Sequence, residues 1–193
     1  MPNLIRPAVM LMALLTILTG VIYPLTVTVL GQLLFFHEAN GSIMTVNGKA
    51  VGSTLIGQQY SQPGHFWGRP SATSPHPYNG AASSGSNLGP LNPALTGLVE
   101  ARIAALRDAD PRNDQPAPID LVTASASGLD PDISLAAAYY QATRVARARH
   151  LPLEQVVALI DRHARHPWLG ILGEPRVNVL RLNLALDGHE PDS

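Results

Sequence analysis

Few residue groups in this chain have the types and spacing to do chemistry. Ser125-Ala126-Ser127-Gly128-Leu129-Asp130 sets two hydroxyls beside a carboxylate. A hydrolase could draw a nucleophile from it, but His150, His163 or His166 would have to be brought there as a base. The structural alternative is a turn whose Ser and Asp cap the next helix. His163 and His166 are three residues apart, a spacing compatible with metal ligation, but no carboxylate or third histidine completes a set. Arg144, Arg147 and Arg149 crowd the end of one expected helix. Cations there complement the helix dipole, and a phosphate or acidic partner could also use them. The only lysine is Lys49, so no phosphate-cradling P-loop exists, and neither G-x-S-x-G nor H-E-x-x-H occurs. With no cysteine, a thiol nucleophile, a disulfide scaffold and a lipoprotein anchor are excluded.

The elements that must carry these groups are marked by charge. Of 193 residues only 14% are charged, and net charge is −1, which gives no electrostatic case for nucleic acid. Pro7–His37 and Pro70–Val99 carry no formal charge at all. The first gap is aliphatic: 21 of the 29 residues from Ala8 to Phe36 are apolar. That is long enough for one membrane-spanning helix and about twice a signal-peptide core. Arg6 and the terminal amine precede it and Glu38 follows, so the positive-inside rule puts the N-terminus in the cytoplasm. Thr16, Gly20, Pro24, Thr28 and Gln32 recur every four residues, a slowly winding stripe on which another transmembrane helix could pack.

Residues 38–193 then read as one small periplasmic α+β domain. Asn47-Gly48 predicts a hairpin between Ser42–Val46 and Lys49–Ile56. A long loop over 57–93 follows. From Ser61 to Pro93, 20 of 33 residues are Gly, Pro, Ser or Asn. A plain tether would not need Phe66, Trp67 and Tyr78, so the loop is expected to be ordered, against its own core or a partner. Asn92-Pro93 opens a helix to about Ala109, Ile119–Ala124 is a strand candidate, and Ser134 caps a helix over Leu135–Arg149. Pro152 opens another over Leu153–Ala164. Val177–Leu186 fits either period, with a helix starting near Asn178 preferred.

In order along the chain stand Gly52-Ser53-x-Leu-Ile-Gly57-Gln58, Phe66-Trp67-Gly68-Arg69-Pro70-Ser71-Ala72, Pro77-Tyr78-Asn79 and Ser84-Gly85-Ser86-Asn87-Leu88-Gly89-Pro90. Ser125-x-Ser127-Gly128-Leu129-Asp130-Pro131, Gln141-x-x-Arg144-Val145-Ala146-Arg147-Ala148-Arg149 and Gly173-Glu174-Pro175-Arg176-Val177-Asn178 follow. In these motifs the chain resembles the C-subunit family of the bacterial Kdp-type potassium-transporting ATPase. The resemblance implies a complex in the inner membrane with a channel-like subunit that selects K⁺ and a P-type ATPase motor. This chain has no Asp-Lys-Thr-Gly motif of its own. It also implies a non-catalytic accessory role, assembling the complex and raising the motor's affinity for ATP. ATP would be held by the motor and K⁺ by the channel, and no cofactor would belong to this chain. The region of Gln141, with Arg144, would be linked to nucleotide. Direct contact conflicts with a domain on the outer face, and coupling through the partners reconciles the two. Partner contacts are expected at Thr16, Gly20 and Pro24 in the anchor and at Phe66, Trp67, Arg69, Tyr78 and Asn79 in the loop. Rival readings are a membrane-anchored periplasmic hydrolase using Ser127 or Asp130, and a cap guiding K⁺ entry with Glu38, Asp130, Asp132 and Glu174.

Overall fold

A computed structural model describes residues 2–167, 170 and 172–189. The chain divides into two compact units, Met1–Ile43 and Met44–Ser193.

The first unit is helical: α1 (Pro2–Ile17), a π turn (Leu18–Ile22), α2 (Tyr23–Leu34) and a short α3 (Phe36–Ala39). The helical stretch Leu4–Leu34 has 31 residues and is apolar enough to cross a membrane, about 46 Å long at helical rise. The π turn has a local cause. Pro24 has no N–H, and its ring would strike the carbonyl of Gly20 in a regular helix. The widened turn relieves this, with Tyr23 N–H donating to Leu18 O. Its extra residue also turns the helix back against the drift of a four-residue repeat, which keeps Thr16, Gly20 and Pro24 nearer one line. Thr19, Thr26 and Thr28 donate their hydroxyls to the carbonyls of Leu15, Ile22 and Pro24, so these polar groups are satisfied within the helix.

The second unit begins with the hairpin β1 (Ile43–Val46) and β2 (Lys49–Ser53). Asn47 and Gly48 both have positive φ, 52° and 73°, as a type I′ turn requires. The segment from 54 to 92 has no helix or strand. α4 (Pro93–Ala109) opens on Asn92, whose side chain accepts from Ala94 N–H. Residues Ile119–Val122 form a short helix, α5, and not the expected strand. Its backbone bonds close on themselves, Leu121 N–H to Pro118 O and Thr123 N–H to Ile119 O, and no ladder partner is involved. Then come β3 (Asp132–Ser134), α6 (Leu135–Arg149), α7 (Leu153–His163), β4 (Ala164–Arg165), β5 (Arg176–Asn178) and α8 (Val179–Leu186).

The stretch Val177–Leu186 uses both of its periods in turn. β5 is the central strand of an antiparallel sheet ordered β3-β5-β4, with Ile133 opposite Val177 and Ala164 opposite Val177 on the other side. Asn178 then caps α8 by accepting from Arg181 N–H. Ser134 plays the same part for α6, accepting from Ala137 N–H. The main core joins Phe66, Leu121, Ile133, Val145, Ile160 and Leu182, so the irregular segment contributes to it directly. Met44 packs with Leu180 and Leu184 in a smaller cluster.

Candidate functional site

The irregular segment is ordered because side chains replace the sheet partner it lacks. Phe66 N–H donates to Asn183 Oδ1 at 2.8 Å, and Asn183 Nδ2 donates back to Phe66 O at 3.0 Å. Trp67 N–H donates to Gln141 Oε1 at 2.8 Å, and Gln141 Nε2 donates to Trp67 O at 3.1 Å. Each amide side chain thus pairs with one residue's backbone as a neighbouring strand would. The pattern extends on both sides. The carbonyls of Gln62, Pro63, Gly64 and His65 accept from Trp67 Nε1, Arg144, Arg149 and Arg144 respectively. Gly68 O accepts from Arg102 Nη2 at 3.1 Å. Every carbonyl from Gln62 to Gly68 therefore has a side-chain donor.

α6 and α8 position this rail. Gln141 and Arg144 are one turn apart on the buried face of α6, and Asn183 lies on α8. Gln141 is 1% exposed and Arg144 4% exposed. Arg144 also donates to Gln141 Oε1 at 2.7 Å, and its guanidinium lies 4.8 Å from the Trp67 ring centre. Arg102 approaches the same ring at 5.2 Å. Two such cation–π contacts contribute roughly 0.5–2 kcal/mol each. Burial draws the Arg144 guanidinium down to about 10, with Asp110 opposing the shift, and burial also lowers Arg102.

Of the two settings expected for Phe66 and Trp67, the chain's own core and a partner surface, the structure shows the first: they are fully buried and nearly so. Their apolar rings and their satisfied backbone explain it. Arg69 and Tyr78 lie at half depth and Asn79 beside them. Arg69 pairs with Asp130 at 3.2 Å. Tyr78 donates its hydroxyl to Arg69 O at 2.5 Å, and its side chain lies close against two glycines. A Cβ on Gly57 would come within 2.3 Å of the Tyr78 ring, and one on Gly68 within 2.8 Å of its hydroxyl. Burial, more than the opposing Arg102, pushes the Tyr78 phenol up to about 12. Asn79 caps locally, donating to Ser74 O and accepting from Ala81 N–H.

The Ser125–Asp130 segment is the other wall of the loop. Ser71 donates to Gly128 O, and Ser84 N–H and Gly57 N–H donate to Ser127 O and Leu129 O. Gly128 has φ +66° with Ser84 O where its Cβ would stand. Ser125 Oγ accepts from Gly128 N–H and Ser127 Oγ from Leu129 N–H, so both hydroxyls serve the turn. No described histidine is hydrogen-bonded to either. His163 closes α7 while His166 follows β4, so they do not share a helix face. Among the described residues no group of three His, Cys, Asp or Glu could hold a metal. Asp130, Asp132 and Glu174, joined by Asp120, do line one cleft of about 420 Å³. Its charges are largely paired: Asp132 with Arg176 at 2.9 Å, Asp130 with Arg69, and Asp120 with Ser134 N–H. In the anchor unit, Thr16, Gly20 and Pro24 are exposed.

Sequence reasoning missed Asn183 and Arg102. The signal for the first was an uncharged amide inside Val179–Leu186, a helix whose other residues are almost all aliphatic.

These features define a class: a small α+β module, carried by a chain with one membrane-length helix among its described residues, whose irregular loop is latched by buried amide and guanidinium groups. The family model described as K⁺-transporting ATPase, c chain, matches residues 5–188. A potassium-transporting ATPase KdpC subunit of Polaromonas naphthalenivorans is 63% identical over 191 residues, covering 99% of this chain and 97% of that one. Those of Herminiimonas arsenicoxydans and Variovorax paradoxus are 61% identical over 189 residues and 64% over 187, covering 98% and 97% of this chain and 100% and 97% of theirs. The chain belongs to the KdpC family.

Proposed function

We propose that this chain is an accessory, non-catalytic subunit of a potassium-transporting ATPase complex, held in the inner membrane by its one apolar helix. The N-terminus is cytoplasmic and the latched domain is periplasmic, in line with Arg6 before the span and Glu38 after it. The partners are a channel-like K⁺-selecting subunit and a P-type motor. The anchor meets them through Thr16, Gly20 and Pro24, and the domain through the surface around Arg69, Tyr78 and Asn79.

One observation carries the reading of mechanism. Gln141 and Arg144 are sealed in the core with their hydrogen-bonding groups engaged by the segment 62–67. A nucleotide phosphate could replace those contacts only by dismantling the loop. Their effect on the motor's ATP affinity is therefore indirect: they hold the surface that the partners recognise, and the assembled state binds ATP more tightly by linkage. The isolated full-length chain in detergent, titrated with a fluorescent ATP analogue, should show no saturable binding. In the complex, Gln141→Ala should raise the KM for ATP together with losing loop order. Stoichiometric binding by the chain alone, abolished by Gln141→Ala at unchanged thermal stability, would contradict this.

A further inference from the structure

Charge is unevenly divided along the chain. Arg162, Arg165, Arg176 and Arg181 stand within 162–181 with one acid, Glu174, while the remaining residues hold nine cations and thirteen acids. The fold brings these arginines together. Arg165 lies opposite Arg176 in the β4–β5 register. His163 lies near both Arg162 and Arg181, and burial, followed by those two charges, draws its imidazole below the ordinary value. Arg176 is held by Asp132. Among the described residues no ion pair reaches Arg162, Arg165 or Arg181. Arg181 Nε is buried with no hydrogen-bond partner. The acids nearest in sequence are engaged elsewhere, Asp161 by the Tyr139 hydroxyl and Asp187 by Arg149. Arg162 ends α7, where a cation complements the helix dipole. Arg165 and Arg181 have no such role, and like charges opposite each other on paired strands cost stability.

Two further observations say which anion these cations suit. Leu172, in the connection between β4 and β5, is 59% exposed. An exposed leucine between two arginine-bearing strands suits the boundary between lipid headgroups and acyl chains, whereas a free anion needs charge alone. The domain is also tethered: residues 35–42, between α2 and β1, extend at most ~30 Å. α8, which carries Arg181, packs through Leu180 and Leu184 on Met44, where the second unit begins. Such a tether presents bilayer headgroups to the domain at high effective concentration.

We propose that Arg162, Arg165 and Arg181, with Leu172, form a face that docks on anionic phospholipid headgroups of the membrane holding the chain. Guanidinium groups suit this because their planar forks match phosphate oxygens. The proposal rests on attachment through the apolar helix and not on the pump partners.

The absence of cysteine allows a single label. Leu172→Cys, in the full-length chain, carries an environment-sensitive fluorophore and is reconstituted in vesicles of phosphatidylcholine alone or with phosphatidylglycerol added, both containing a nitroxide-labelled quencher lipid. Quenching should be at least about threefold stronger in the anionic vesicles and should fall toward the zwitterionic value at high salt. Arg162→Gln with Arg165→Gln, both at exposed positions, should remove most of that difference at unchanged melting temperature, and Arg181→Gln should remove the rest. Equal quenching in the two vesicles, or a difference that survives all three replacements, overturns the proposal. A shift caused by inorganic phosphate in detergent as large as that in anionic vesicles overturns it in favour of a free-anion site. A shift that appears on assembly of the whole complex in detergent, and not on anionic lipid, overturns it in favour of an acidic partner segment. Release of the unaltered chain from vesicles by alkaline carbonate overturns membrane attachment itself, an outcome distinct from the others.

Discussion

Asn183 and Gln141 set the energetics at the level of single residues. Each satisfies both the N–H and the C=O of a buried backbone unit, at Phe66 and Trp67. Asn183→Leu keeps the number of side-chain heavy atoms but is bulkier, and it leaves both groups unpaired inside the core. It should destabilise the chain by about 2–4 kcal/mol, read by urea unfolding, with faster hydrogen exchange at Phe66 N–H. Gln141→Ala should act similarly at Trp67 and also strip a partner from Arg144. Tyr78 supplies a pH signature. Its phenol is held neutral in the folded chain up to about 12, against an ordinary value of 10.0. The folded value is raised, so the contribution is fully present below pH 10 and is lost as pH rises toward 12. Stability should therefore fall more steeply over that interval in the unaltered chain than in Tyr78→Phe. Ultraviolet phenolate absorbance should show one late-titrating tyrosine disappear in that variant.

At the level of elements, Gly97→Ala should stabilise the chain alone by about 0.5–1 kcal/mol, since α4 gains helix propensity and the new methyl meets open space. Gly128→Ala should do the reverse, because φ is +66° there and Ser84 O lies 2.5 Å from the new carbon. Thermal melting of the two variants checks both signs. The contrast also shows what was legible in the sequence. Helix starts at Asn92-Pro93 and Ser134, and the Asn47-Gly48 hairpin, follow from local chemistry and appear where that chemistry puts them. Ile119–Val122 was misread because a short apolar run between prolines has no decisive period. The local backbone bonds, Leu121 N–H to Pro118 O and Thr123 N–H to Ile119 O, reveal the helix. The latch was only half visible. Phe66 and Trp67 announce an ordered loop, but their partners lie 74 and 117 residues away on α6 and α8, and no local pattern links them. That separation also hid the role of Asn183.

At the level of the whole molecule, the sequence and structure support a division of labour. One helix is long and apolar enough for attachment, and in the second unit side chains hold the backbone of 62–68 where regular structure is missing. A transport complex can use such a subunit without asking it for chemistry, provided the surface keeps its shape. The central claim is that the latched domain acts from the side of the membrane opposite to nucleotide. A single cysteine at the exposed Asp114, in the full-length chain within its complex, can be labelled with a membrane-impermeant maleimide in right-side-out and inside-out membrane vesicles. Rapid labelling in right-side-out vesicles, and in inside-out vesicles only after permeabilisation, is the predicted result. Labelling confined to the face where ATP is supplied would contradict the account and restore direct nucleotide contact as its replacement.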